Sequence, residues 1–299
     1  MIFLYISNLI VVTIFLTFGR FINLLIFKDL TNKKNIIYDI LSGVIYLSFI
    51  ALFFNFFLPL DRTLNNFFLI ICIFILIKFY FHEKKYILEC VKIIFIIGSV
   101  SFLIMVLTYS YNPDAGLYHL PYISILNDYK ILIGLSNIHF RFGHTSIIQY
   151  TSAIFNNSLF LTKGISIPIS IVLCSVFVYF FNQTLKNKNN YFFFIFFFLI
   201  TIFIILKNNR YNDIGNDIIG NLFYFVVLSI FIRQIYYDKK EYINFFYLSL
   251  FCIFAFANKV FLVVSFLFPL FFIIYFKKYK YLINFKNLIL IFFLLSIFI

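Results

Sequence analysis

The chain has 299 residues, 64% of them apolar and only 12% charged, with a formal net charge of +13. A soluble domain is about 45–50% apolar and about 25% charged, and even one of this length leaves roughly a quarter of its unfolded surface in water. A soluble enzyme, a disordered chain and a collagen-like chain are excluded, which leaves a polytopic membrane protein.

Barrel strands alternate polar with apolar residues, whereas the run from Tyr191 to Leu206 is apolar on every side. The expected fold is therefore all-α, a single transmembrane bundle over residues 1–299. A span needs about 17–25 apolar residues. Ten such stretches are read in chain order: 2–27, 36–60, 64–81, 86–110, 160–182, 190–206, 218–236, 242–257, 260–276 and 282–299. The first is too long for a cleaved signal and contains Arg20. The last runs apolar to Ile299, so a continuation beyond the given sequence is expected. Cys72, Cys90, Cys174 and Cys252 stand apart in apolar runs and read as small packing residues.

The loops sort the positive charge. Those around 28–34, 78–85, 186–188, 233–240 and 277–280 hold fourteen Lys and Arg, and the alternating set holds seven. The positive-inside rule puts the first set in the cytoplasm and the N-terminus outside, as in a bacterial inner membrane protein. The net charge is accounted for by this bias, without nucleic acid as a partner. Arg20, Lys92 and Lys286 lie toward the cytoplasmic ends of their spans, within snorkelling reach of the surface.

One loop is long, 111–159, on the outer face. It contains His119, His139, His144, Asp114, Asp128 and Arg141. Long ordered loops are more often functional than not. Pro113 ends the fourth span and leaves Asp114 at its mouth, and Pro121 suits the first turn of a helix. Apolar residues recur at helical spacing from Tyr122 to Ile133, which predicts an interfacial helix lying on the bilayer. The alternation from Asn137 to Phe142 predicts an extended segment with Asn137, His139 and Arg141 on one side. Ser146 and Gln149 have capping-box spacing for a second helix through Phe155.

The stretch Asp114-Ala-Gly-Leu-Tyr118-His119-Leu-Pro121, with a later Tyr211-Asn-Asp213-Ile-Gly-Asn-Asp217 element, resembles the GT-C class of membrane glycosyltransferases. It is similar in particular to bacterial members with an Asp-x-x-x-Tyr-His-Leu-Pro outer loop. The resemblance covers about 50 residues of loop specifically, and the bundle in general character. It implies an inverting transfer of a sugar from a polyprenyl-phosphate donor to a glycan, lipid or protein acceptor, with Asp114 as general base. Tyr118 and His119 fall within the motif and count as substrate-binding candidates.

A carboxylate at a dehydrated mouth can take the proton of an attacking hydroxyl. Cations then suffice for the departing phosphate, and Arg141, Arg210 and Lys259 are available on that face. His139 and His144 suit sugar hydroxyls or phosphate; a three-His metal site with His119 lacks standard ligand spacing. Asp213 and Asp217, four residues apart, share a face if the seventh span begins as helix there, and could orient the acceptor or hold a divalent ion. No resident cofactor is called for. A flippase or transporter, a polysaccharide polymerase and a non-catalytic membrane fragment stand as the alternatives.

Overall fold

The computed structural model describes residues 1–27, 35–107, 112–143, 146–237 and 242–275. Its described residues are helices and turns without strands: α1 (Ile2–Ile26), α2 (Ile36–Asn55), α3 (Arg62–His82), α4 (Lys84–Leu107), α5 (Leu120–Asp128), α6 (Leu135–Ile138), α7 (Ile147–Ile154), α8 (Ile167–Lys186), α9 (Tyr191–Lys207), α10 (Asn216–Tyr236), α11 (Tyr242–Asn258) and α12 (Leu267–Tyr275). The all-helical bundle expected from composition is what the chain forms.

Among the described residues six helices are long and apolar enough to cross a membrane: α1, α2, α3, α4, α8 with its lead-in from Leu161, and α10. The other expected spans differ. Helices α9 and α11 have 17 residues each, about 26 Å of helix, slightly under a hydrocarbon core of about 30 Å. The stretch 260–276 divides into a 3-10 segment, Val260–Phe266, and α12. The tenth expected span, 282–299, lies outside the described residues, as do the basic loops 28–34 and 277–280.

The chain forms two compact units, 1–143 with 148–215, and 144–147 with 216–299. In the first, α1 packs on α2, α4 and α8, and α8 on α9. Backbones meet where α1 and α2 cross: a methyl group on Gly19 would lie 1.9 Å from the Asp39 carbonyl oxygen, and one on Gly43 would lie 2.0 Å from that of Phe15. Small residues at a crossing let helices approach this closely where lipid supplies no hydrophobic drive. Hydrogen bonds between helices do the rest. Ser101 of α4 donates to Asn8 Oδ1 of α1 and bonds Ser170 of α8, both at 2.6 Å.

The same crossing buries a charge cluster. Arg20 Nη1 lies 3.8 Å from Asp39 Oδ2, both side chains almost wholly shielded, and the guanidinium sits 4.9 Å from the centre of the Tyr86 ring. Tyr86 donates to Asp39 Oδ2 at 2.6 Å, and Asn23 Nδ2 donates to Asp39 Oδ1 at 2.8 Å. The expectation that Arg20 snorkels is thus overturned. A neighbouring helix brings it a carboxylate, so the charge stays inside.

In the second unit α10, α11 and α12 pack together. Pro269 has no N–H for the Ser265 carbonyl four residues before it. The Cys252 thiol of α11 donates to that oxygen instead, at 3.3 Å. None of the four cysteines forms a disulfide among the described residues, and all four are buried.

Candidate functional site

The long loop is tied to the first unit by asparagine amides. Asn55, at the end of α2, donates to the carbonyls of Leu126 and Tyr129, and Asn65 of α3 donates to those of Ala153 and Asn156. Asn127 donates to Leu60 and Ala153. These bonds satisfy irregular backbone that cannot satisfy itself, and they fix the segments that carry the polar cluster.

Pro113 starts a new helical stretch, and Asp114 leads directly into a π-helical turn, Ala115–His119, continuous with α5. Such turns are uncommon and recur at functional sites. Pro121 stands in the first turn of α5, as its fixed φ favours. The expected helix to Ile133 stops at Asp128, because the chain turns extended at Tyr129 and Ile131 N donates to Asn55 O at 2.9 Å. Its apolar side, with Tyr122, Ile123 and Leu126, is buried in protein rather than laid on lipid.

The segment 137–142 is not extended either. It forms the single turn α6 and a 3-10 turn, Phe140–Gly143, after left-handed Gly134 (φ 87°). Local hydrogen bonding outcompetes the period-two pattern here: His139 N donates to Leu135 O, and Arg141 N donates to His139 Nδ1 at 3.3 Å. His139 itself is exposed and stacked on Phe140.

This turn delivers Arg141 to the cluster. Its Nη1 donates to Asp114 Oδ1 at 3.2 Å, an ion pair with both side chains partly open to solvent. The guanidinium also lies 4.6 Å from the centre of the Tyr118 ring. Burial raises the Tyr118 phenol; Arg141 opposes that shift and Asp114 adds to it. Tyr118 in turn meets His119 at 4.1 Å between ring centres. His119 is buried, and Gln149 Nε2 donates to its Nδ1 at 2.6 Å.

Gln149 was not among the site candidates; its amide goes to His119. Ser146, the other half of the expected box, donates to Asn258 Oδ1 at 3.3 Å. No sequence pattern distinguishes this Gln from any other on a short helix. Gly215 was missed as well. A methyl group there would fall 2.7 Å from His119 Nε2.

The other candidates divide by unit. The 3-10 turn Asn208–Asp213 packs against the π turn, which brings the backbone of the Asn-Asp element beside the motif. Tyr211 anchors it; burial raises that phenol, and the Ser166 hydroxyl pulls it back. Arg210 in this turn is exposed. Asp213 belongs to the turn, and Ile214 follows in the left-handed region (φ 51°). Asp213 and Asp217 therefore do not share a helix, since α10 begins only at Asn216. In the second unit Asp217 pairs with Lys259 at 2.8 Å, and Lys259 Nζ sits 4.5 Å from the centre of the Phe261 ring. His144 and the Asp213 side chain lie outside the described residues. Among the described residues no three His, Cys, Asp or Glu side chains gather as a metal site.

Chemically, the Asp114–Arg141 pair offers a carboxylate oxygen for a proton and a planar donor fork for an anion. The Tyr118 and Phe140 rings flank the guanidinium. Residues 1–299 match the family described as a domain of unknown function (DUF8201). No curated protein and no solved structure matches the chain.

Proposed function

We propose that this chain, which belongs to the DUF8201 family over residues 1–299, is a membrane glycosyltransferase of the GT-C kind. It moves a sugar from a polyprenyl-phosphate donor to a glycan, lipid or protein acceptor on the outer face of a bacterial inner membrane. The observation that carries this reading is the 3.2 Å contact of Asp114 with Arg141, partners 27 residues apart. The fourteen-to-seven charge asymmetry of the loops supports the orientation.

The mechanism follows from the pair. A donor phosphate competes with Asp114 for the guanidinium, because Arg recognises phosphate bidentately. As Arg141 turns to the phosphate, the carboxylate is left for the acceptor hydroxyl. That oxygen attacks the anomeric carbon from the side opposite the phosphate, which inverts the centre, and Asp114 takes the proton. The bond from anomeric carbon to phosphate oxygen breaks with its electron pair on phosphate, where Arg141 stabilises the charge. Tyr118 and His139 bind the sugar in this reading, and buried His119 backs Tyr118. Arg210, on the turn packed beside the π turn, is a second cation for the departing phosphate.

The test compares two variants of the full chain in polyprenyl-phosphate-sugar transfer. Asp114→Asn keeps the side chain's size but not its basicity, so turnover should drop by about two orders of magnitude or more, with donor binding no weaker because the competing carboxylate is gone. Arg141→Ala should weaken donor binding as well, since phosphate is present in ground and transition states alike. Near wild-type turnover in Asp114→Asn ends the general-base assignment.

A transporter is the second reading, favoured by the Arg20–Asp39 pair within the spans. Ionisable residues at that depth often mark a substrate pathway. It gives no sugar transfer in any variant, and uptake that depends on Asp39 rather than Asp114.

A further inference from the structure

The exposed apolar surface of the first unit is not confined to its spans. On α3 one face is open along its length: Phe67, Ile70, Phe74, Ile77 and Phe81, at offsets of 3, 7, 10 and 14 from the first, are all exposed. That periodicity is one side of a helix facing lipid. Where α2 ends and α3 begins, the exposed apolar surface continues through Phe56, Phe57 and Leu58.

The long loop then adds to the same rim. Ile131 N bonds Asn55 O, and Asn55 Nδ2 bonds the Tyr129 carbonyl at 3.1 Å, so residues 129–131 are fastened to the end of α2. Tyr129 and Leu132 are exposed there, and Ile133 is 100% exposed. A folded chain does not leave an isoleucine bare beside a row of exposed phenylalanines without something to cover them. Lys130, also exposed, stands within this strip, and Arg62 stands exposed at the first turn of α3.

We propose that residues 56–58 and 129–133 form one interfacial anchor seated in the headgroup and upper acyl region of the bilayer, with Lys130 and Arg62 on lipid phosphates. Three features select lipid as the occupant. The strip continues the open face of α3, it lies at the ends of membrane-length helices, and it combines aromatic rings with flanking cations, the composition of membrane–water boundaries. A protein partner has no claim on the first two. The anchor also replaces the helix that periodicity suggested: lipid contact is made by the irregular segment after α5, not by α5.

The test needs no knowledge of the reaction, so its failure is separable from failure of the glycosyltransferase reading. Single cysteines are placed at Ile133, Phe57 and Ser124 of the full chain, labelled with a small fluorophore, and reconstituted in phosphatidylcholine vesicles. Ser124 is the exposed polar control on α5. Labels at Ile133 and Phe57 should be quenched several-fold more by a nitroxide high on the lipid chain than by aqueous iodide, with the order reversed at Ser124. An Ile133 label that behaves like the Ser124 label overturns the proposal. One shielded from both quenchers is covered by protein, and overturns it equally.

Discussion

Arg20 and Asp39 show how a single residue's partner decides its cost in a membrane. A charge buried with its counter-charge, a tyrosine hydroxyl and an asparagine amide around it is tolerated; the same charge alone is not. Arg20→Met or Asp39→Leu singly should therefore lower stability in detergent by about 3–5 kcal/mol, and the double variant by clearly less. Thermal unfolding of the three proteins measures the coupling, and strictly additive losses would count against it. Gly215 has the opposite character, a residue important for what it lacks. Gly215→Ala should displace His119 from Gln149 and loosen the stack that carries Arg141, by about 1–3 kcal/mol of overpacking. In the transfer assay it should impair turnover, while Gly98→Ala on α4, where the added methyl meets the flexible Leu9 side chain, leaves it nearly intact. Neither role is legible in sequence. Arg20 and Asp39 stand on different helices, α1 and α2, and nothing local announces that the two will cross there. Asp114 and Arg141 were found because a Pro-bounded acidic residue and a cation stood out in a loop otherwise poor in charge.

Helices report a different balance. The long apolar runs were readable because nothing competes with hydrogen-bonded helix in lipid, and α1 to α4 and α8 fall close to where composition put them. The loop helices were read poorly, since in water and at the surface tertiary bonds override a pattern. Asn55 stops α5 by accepting Ile131, and left-handed Gly134 redirects the next segment into turns. Beside the Asn127 bond to Ala153, α5 and α7 are joined by a pair of phenols, Tyr122 and Tyr150, at 3.3 Å. Burial raises Tyr122, with its bond to Tyr150 pulling back, and burial raises Tyr150 well above the ordinary value, with Tyr122 adding to the shift. A phenol that resists ionising in the fold gives up its proton first in the unfolded chain, near pH 10. Stability from this pair is thus complete below about pH 10 and declines as pH climbs further. The decline, followed as protease cleavage in the loop against pH, should be shallower in Tyr122→Phe or Tyr150→Phe than in the wild type. Identical slopes would remove the pair as its cause.

For the whole molecule, topology is the property on which the most depends. The loop charge bias predicts that a cysteine at Asp128 reacts with an impermeant reagent added outside intact cells, and that one at Lys188 does not. The native thiols are buried, which keeps their background low; labelling at Lys188 alone would invert the orientation. The crossing of α1 and α2 bears on how such a chain enters the membrane at all. An arginine at the centre of a lone helix costs about 2.5–3.5 kcal/mol to insert; Arg20, nearer the end of α1, bears part of that cost, and the residues that relieve it belong to α2 and α4. During synthesis α1 is therefore a poor candidate to diffuse into lipid by itself. Held at the insertion machinery until α2 emerges, it can leave as a hairpin already closed at Gly19 and Gly43, with Asp39 delivered to Arg20 in the same step. The tight glycine contact then serves biogenesis as much as the finished fold, and sets the order in which the first two helices are released.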